Sequence, residues 1–373
     1  MTSRSVSDLA EVRDELHVVA RDLLGKAGPG AEPGWDVLAA SGWLGIEVPD
    51  EFGGADATFA EVAVIAEELG RAATRVPYLG AIVLGAGTLR AAAPGDGRAE
   101  LLGQVAAGEA LAVAVITGGD PAFRLTDGQG GRLRLNGEAS FVPDAADASR
   151  LLVVAYPGDG VGDPVIVALN PLVPGLAITP TPLLDETRGL AEVQAGEVEV
   201  APEEVWRFSG DPHAAVQRLR DRASVALACD SLGVAQAMLE KTVAYVKVRH
   251  QFGRPVGSFQ AVKHACADML VQIAVARELV AAAVDALTEP PEGPGAAEAA
   301  ASVAASMAKS YTGTAAVDVA GKAMQLHGGV GYAREAGIHT YLKRAALNRD
   351  LFGSPIAHRA RLASRYRPAA AGS

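Results

Sequence analysis

Cysteines and aromatic side chains are scarce in this chain of 373 residues. Phe, Tyr and Trp together make up 5%, and there are two cysteines. Cys229 and Cys266 could close one bridge at most, so a disulfide scaffold is excluded; each sits in an apolar helical pattern and reads as a small buried hydrophobe. Positive charge is also short. Lys and Arg number 33 against 44 Asp and Glu, a formal charge of -11, which excludes a surface built to neutralise nucleic-acid phosphates. No run reaches the about 18 uninterrupted apolar residues that a membrane helix needs. The opening MTSRSVSDLAEVRDELH has no apolar signal-peptide core, so the expected compartment is the cytoplasm. The seven histidines form no HxxxH unit and the cysteines no CxxC unit, so no metal is expected. No GxGxxG stands at a strand-to-helix turn, and any nucleotide must be held outside a Rossmann fold.

What the chain does have is 49% hydrophobic residues and many alanines and glycines, the composition of a helix-rich globular enzyme of two or three packed units. From Val6 to about Gly108 apolar positions recur every three or four residues. Pro33 marks the start of GWDVLAASGWLGI, PDEFGG is a turn, and Thr58 with Glu61 forms a capping box ahead of a helix. Near Ala110 the texture changes. ALAVAVI, RLRLNGEASFV, SRLLVVAY, PVIVALN and VQAGEVEV are short β-prone runs, with Asn136-Gly137 and Pro157-Gly158 as turn signals. After Trp206 helices return, over about 212–250, 258–287 and 295–326, with a shorter one in GIHTYLKRAALNRDLF and a loop at PPEGPG. The expected class is α+β: an all-α domain over 1–110, a β-barrel or sandwich over 111–205, and a C-terminal four-helix bundle over 206–373.

Two segments carry candidate chemistry. RHQFGRPVGSFQ, Arg249 to Gln260, combines a planar guanidinium suited to phosphate, the flat face of Phe252, and Gln251 and Gln260 as donors and acceptors. Its structural reading is a charged helix end with Phe252 and Phe259 as core anchors. QLHGGVGY, Gln325 to Tyr332, places Gly328 and Gly329 after a long helix, where they either let a backbone approach a ligand or simply end the helix.

Taken together these segments resemble the RxxFGxxIxxFQ and QxxGGxGY signatures of the acyl-CoA dehydrogenase family, and GWLGIEVPDEFGG, Gly42 to Gly54, resembles its N-terminal GLxGixxPxxxGG element. The resemblance runs in order from about residue 35 to 362 and implies the same three-domain fold. It implies FAD bound across a subunit interface. Arg249, Gln251, Phe252 and Gln260 would lie on the pyrophosphate and adenosine side, and Gln325, Gly328 and Gly329 would meet the cofactor from a neighbouring subunit. It also implies an acyl thioester substrate, on CoA or a carrier, and electron-transfer flavoprotein or a similar acceptor. The flavin ring would rest near SFVPDAADA, Ser140 to Ala148, although the usual TEPxxGSD segment stands here as ITGGDPA, Ile116 to Ala122.

The family's reaction removes an α-proton with a carboxylate while the β-hydrogen leaves as hydride. The usual glutamate position matches Phe352, and a second position used by some members matches Ala223. Neither side chain can take a proton. Asp230 lies seven residues beyond Ala223, two turns with a drift of about 20°, so it shares that helix face and is the candidate base. Its structural reading is a hydrogen bond to a neighbouring helix, or pairing with Arg222 or Lys241. Arg188 in LDETRGL reads either as a group held near the substrate or flavin or as one half of a surface pair with an aspartate, and Lys343, Arg344 and Arg349 as phosphate contacts on coenzyme A or favourable charge at a helix end. Three functions follow from the resemblance: a dehydrogenase of acyl thioesters, a flavin-binding but catalytically silent subunit completing an oligomer with a paralogue, or an oxidase or monooxygenase of the wider superfamily.

Overall fold

In the computed structural model the described residues are 6–26, 28–117, 122–158, 160, 162–288, 295–333 and 336–365. They gather into two compact units: residues 1–31, 63–74 and 224–373, and residues 32–62 and 75–223. The changes of texture expected near 110 and 205 fall where strands begin at Ala112 and end at Trp206. Packing nevertheless groups the second unit's helices with the strands rather than with the N-terminal helix.

The first unit holds helix α1 (Val6–Gly25) and, from Ala63 on, helix α3 (Phe59–Ala72). From Ser224 on it holds α6 (Pro212–Val248), followed by α7 (Gln260–Thr288), α8 (Ala296–His327), α9 (Ile338–Asp350) and α10 (Pro355–Arg365). The three long helices begin and end within two residues of the expected positions at every terminus; α10 was not among the expected helices. Pro355 starts it, as a residue that is tolerated in a first helical turn but ends whatever precedes it. The loop expected at 290–295 lies outside the described residues except for Gly295. No helix among the described residues is long and apolar enough to cross a membrane.

Small residues set how α3 and α6 pack. A Cβ on Gly70 would run into the carbonyl of Asp230, and one on Gly233 into the carbonyl of Glu67, so the two backbones touch where only glycine fits. The buried face of α7, Met269, Ile273, Ala276, Val280, Ala283 and Leu287, repeats at helical spacing. Its other face leaves Leu270, Val271 and Val275 exposed.

The second unit contains α2 (Trp35–Ala40), the start of α3, a π-helical segment Leu79–Ala86, α4 (Gly87–Ala91), α5 (Asp96–Ala106) and an eight-stranded sheet. Thr58 and Glu61 form the expected cap: Thr58 N donates to Glu61 Oε2 at 2.8 Å and Ala60 N to Thr58 Oγ1 at 3.2 Å. The strands are β1 (Ala112–Val115), β2 (Phe123–Asp127), β3 (Leu133–Pro143), β4 (Arg150–Pro157), β5 (Val165–Leu169), β6 (Leu176–Pro180), β7 (Leu190–Val200) and β8 (Val205–Trp206). Their order is β6-β7-β3-β2-β4-β5-β8, with β1 parallel to β4, around an apolar core that includes Phe123, Leu135, Val153, Val167 and Val193. Asn136-Gly137, expected as a turn between strands, lies instead inside β3 at a register shift. The conformational freedom of Gly137 is used for a bulge, and Asn136 exchanges hydrogen bonds with Glu197 on β7 at 2.7 and 2.8 Å. The first turns of α6 are tied here by Arg222, which is paired with the fully buried Glu47 and stacked 4.5 Å above the Phe59 ring.

The glycine contact makes a direct prediction. Gly233→Ala should cost about 1–3 kcal/mol through overpacking, read as a lower urea midpoint with an unchanged slope, whereas Gly321→Ala, in open space inside α8, should raise the midpoint by the equivalent of about 0.5–1 kcal/mol.

Candidate functional site

Helix α6 ends at Val248, and Arg249 N still donates to Tyr245 O at 3.0 Å. The chain then makes a tight hairpin, β9 (His250–Gln251) against β10 (Arg254–Pro255), and Val256 N closes it by donating to Arg249 O at 2.7 Å. Its two turn residues, Phe252 and Gly253, have φ of +53° and +79°, as a two-residue hairpin of this hand requires. Glycine takes that conformation freely, but phenylalanine does so at a cost of about 1–2 kcal/mol. Burial does not offset the cost, because Phe252 is 89% exposed. It meets Phe259 edge-on at 6.2 Å, and Arg254 lies 4.1 Å over the Phe259 ring. Phe252 is therefore no core anchor. Arg249, Gln251 and Gln260 are exposed beside it, with Gln260 Nε2 3.1 Å from His264 Nε2.

The second motif closes α8. His327, its last residue, places Nδ1 2.8 Å from Ala323 O and stacks on Tyr245 at 4.6 Å, so the C-terminal ends of α6 and α8 meet through this ring pair. The glycines that follow have different reasons to be glycine. Gly328 has φ +61°, and at Gly331 a Cβ would press on Met324 O at 2.6 Å. At Gly329 a Cβ would meet nothing and φ is not left-handed, so nothing in the chain's own fold demands glycine there. Gln325 and Tyr332 are exposed alongside. An uncovered ring, an exposed guanidinium and a side-chain-free stretch of backbone fit a flat cofactor carrying phosphates, and these are the residues that would hold it.

The two expected base positions are filled by apolar groups. Ala223 is fully buried on α6. Phe352 lies half-buried in the turn between α9 and α10 with φ +55°, followed by Gly353 with φ +107°. Asp230 is 4% exposed and its carboxylate is engaged. Arg344 Nε donates to Oδ1 at 2.9 Å and Nη2 to Oδ2 at 2.6 Å, while Asn348 Nδ2 donates to Oδ1 at 2.6 Å. Arg344 Nη1 also donates to Thr74 O at 2.9 Å. The partner is thus a neighbouring helix; Arg222 pairs with Glu47 and Lys241 lies 5.8 Å over Tyr341. Arg344 is 2% exposed and bonded to Asp230, which corrects its reading, with Lys343 and Arg349, as a phosphate contact or a helix-end charge. Arg344 and Asn348 stand four residues apart on one face of α9, a spacing that by itself does not point to Asp230 on another helix.

Ser140 to Ala148 covers the end of β3 and the turn after it. Phe141 is 55% exposed with φ +58°, and the buried Asp144 accepts a hydrogen bond from Gly80 N at 2.7 Å. Residues 118–121 of ITGGDPA lie outside the described residues. Asp185, expected at the surface beside Arg188, is buried and accepts from Thr187 N and Oγ1 at 2.9 and 2.7 Å. Cys229 is buried and Cys266 half-buried, and both are free thiols.

Comparison with known proteins places the chain. It matches the family described as acyl-CoA dehydrogenase, N-terminal domain, over residues 2–109, and acyl-CoA dehydrogenase, C-terminal domain, over 194–366. It is 32% identical over 359 residues to acyl-CoA dehydrogenase IpdE2 of Mycobacterium tuberculosis, covering 92% of this chain and 94% of that one. The solved Tcur3481-Tcur3483 steroid ACAD G363A variant superposes with a TM-score of 0.81 at 28% identity, over 95% of this chain and 98% of the other. The ChsE4-ChsE5 complex from Mycobacterium tuberculosis shares the fold at a TM-score of 0.79 and 23% identity, over 99% of both chains. By the matched domains and the relative aligned along its length, the chain belongs to the acyl-CoA dehydrogenase family of flavoproteins.

Proposed function

We propose that the protein serves in FAD-dependent α,β-dehydrogenation of an acyl-CoA, or carrier-bound acyl, thioester in the cytoplasm, passing electrons to an electron-transfer flavoprotein or a similar acceptor. One observation carries this reading. The Phe252 hairpin tip is exposed in an unfavourable backbone conformation, and Gly329 is bare where the fold does not require it, so both are built for something outside the chain. Arg249 would bond the pyrophosphate, with Gln251, Phe252 and Gln260 along the adenosine side and Gln325, Gly328 and Gly329 offered to the cofactor of a neighbouring subunit. Bound there, the flavin would accept the β-hydrogen of the acyl chain as hydride.

A second reading concerns the base. With Phe352 and Ala223 unable to take a proton and Asp230 bonded by Arg344 and Asn348, the chain offers no uncommitted carboxylate at the positions considered. Both oxygens of Asp230 are thus taken up by donors of α9. We assign Asp230 a structural role and favour a hetero-oligomer in which a paralogous subunit supplies the base. The ChsE4-ChsE5 complex from Mycobacterium tuberculosis, which shares the fold, is an assembly of that kind and supports the arrangement. The exposed Leu270, Val271 and Val275 give α7 an apolar stripe suited to another subunit.

Purified alone or with its partner and supplied with FAD, the protein should show the absorption bands of a bound flavin; their absence in both preparations would sink the assignment. Arg249→Gln should weaken FAD binding by about ten- to a hundredfold, the worth of a hydrogen bond to a charged group, in a fluorescence titration. Asp230→Asn should lower the unfolding free energy by about 3–5 kcal/mol, because Arg344 is left buried and uncompensated, while the FAD affinity of the folded protein stays unchanged.

A further inference from the structure

Lys309, on α8, is 1% exposed. Its ammonium has no carboxylate within salt-bridge distance among the described residues, and Nζ donates to Arg349 O at 2.9 Å and to Gly353 O at 3.1 Å. Both acceptors belong to the end of α9 and the turn after it. From the other side comes His358 on α10, also 1% exposed, with Nε2 3.1 Å from Phe352 O and Nδ1 3.2 Å from Ser306 Oγ. A carbonyl can only accept, so Nε2 carries the proton and Nδ1 accepts from the serine hydroxyl. Two buried side chains from flanking helices thus hold three carbonyls within five residues.

The turn they hold is the strained one. Phe352 at φ +55° persists only where the surroundings over-determine it, and a Cβ on Gly353 would come within 2.9 Å of His358 Nε2. Core stability alone does not account for the lysine. A buried amine without a counter-ion is costly, and an apolar side chain of similar length would fill the same space more cheaply. What an apolar residue could not do is fix those carbonyls.

We propose that Lys309 is a positioning residue: its amine, with the imidazole of His358, fixes the backbone of the Phe352–Gly353 turn as a wall of the acyl-thioester site, so that losing the amine loosens substrate binding rather than flavin binding. The inference rests on the proposed acyl-thioester reading for the place of the turn, and on the hydrogen bonds themselves for the clamp.

The charge on the clamp follows from its surroundings. Burial pushes the Lys309 ammonium down to about 7, with Arg349 acting in the same direction and Asp350 against it. Burial, then the charges of Lys309 and Arg361, push His358 down to about 4, so it is neutral at physiological pH. Between about 7 and the ordinary value of 10.5 the unfolded lysine holds a proton that the folded one does not, so stability rises with pH across that window. For His358 stability falls as pH drops from 6.5 towards about 4.

The test uses the flavin-loaded full chain, with any partner that co-purifies, and Lys309→Met. Amides of residues 351–354 should exchange with deuterium on the order of tenfold faster. Affinity for a non-reactive acyl-CoA analogue should fall by about ten- to a hundredfold, as small misplacements do, with flavin affinity unchanged. The rise in stability from pH 7 to 10 should vanish in the variant, and the acid-side loss should remain. Gly353→Ala, which presses on His358 from within the turn, should reproduce the loss of analogue affinity even if Lys309→Met does not fold. Lower stability in the variants with wild-type exchange and wild-type analogue affinity would overturn the proposal, as would faster exchange with unchanged affinity. A wild-type protein that binds flavin and no acyl-CoA analogue would count against the substrate reading, and the exchange rates would still decide whether the clamp exists.

Discussion

The bond between Asp230 and Arg344 is the constraint around which the first unit is arranged. A carboxylate and a guanidinium removed from water must each find partners, and these do so in two parallel hydrogen bonds, with Asn348 and the carbonyl of Thr74 taking up further capacity. The bond ties α6 to α9 and to the end of α3. It is reached only because α3 and α6 approach to backbone contact at Gly70 and Gly233, beside the charged group itself. Tyr341, one turn before Arg344, donates to Arg71 O at 3.2 Å and extends the same seam. Such a network contributes little net stability compared with an apolar core of the same volume, but it accepts one register of α9 on α6 and no other.

That register matters for what lies beyond it. Helix α9 leads directly into the Phe352 turn, and α6 leads into the hairpin that carries Arg249 and Phe252. The helix pair therefore delivers both segments, one at each helix's C-terminal end. The ring stack of Tyr245 on His327 brings the end of α8 to the second of these. In unit 1 the candidate site is a matter of how helices end.

Much of this was legible in the sequence because it rests on local physics. Helical spacing placed α6, α7 and α8, a capping box marked the start of α3, and β-prone runs between turn residues located five of the eight strands around the core. The strands that escaped, β2, β6 and β8, are short and half-exposed, with burial alternating too weakly to stand out. Asn136-Gly137 carried a real conformational signal, but the same freedom serves a bulge as well as a turn, and only pairing with β7 decides between them. The two candidate segments, Arg249 to Gln260 and Gln325 to Tyr332, stood out as clusters of polar, aromatic and glycine residues. Asp230 stood out as a charge in an apolar stripe, yet its partner could not be read, because Arg344 lies 114 residues away and looked like one of several surface cations. Lys309 and His358 left no trace: a lone lysine in an alanine-rich helix and a histidine after a proline resemble ordinary solvated residues until the fold buries them.

The turn between α9 and α10 is specified through oxygen atoms that every residue possesses. Lys309 and His358 grip the carbonyls of Arg349, Phe352 and Gly353 and make no demand on the side chain at 352 beyond tolerance of a left-handed backbone. Shape and chemistry are thereby uncoupled at this position. The frame would carry an acidic side chain or an aromatic ring at 352 without being rebuilt, so a change of side chain there needs no change of architecture.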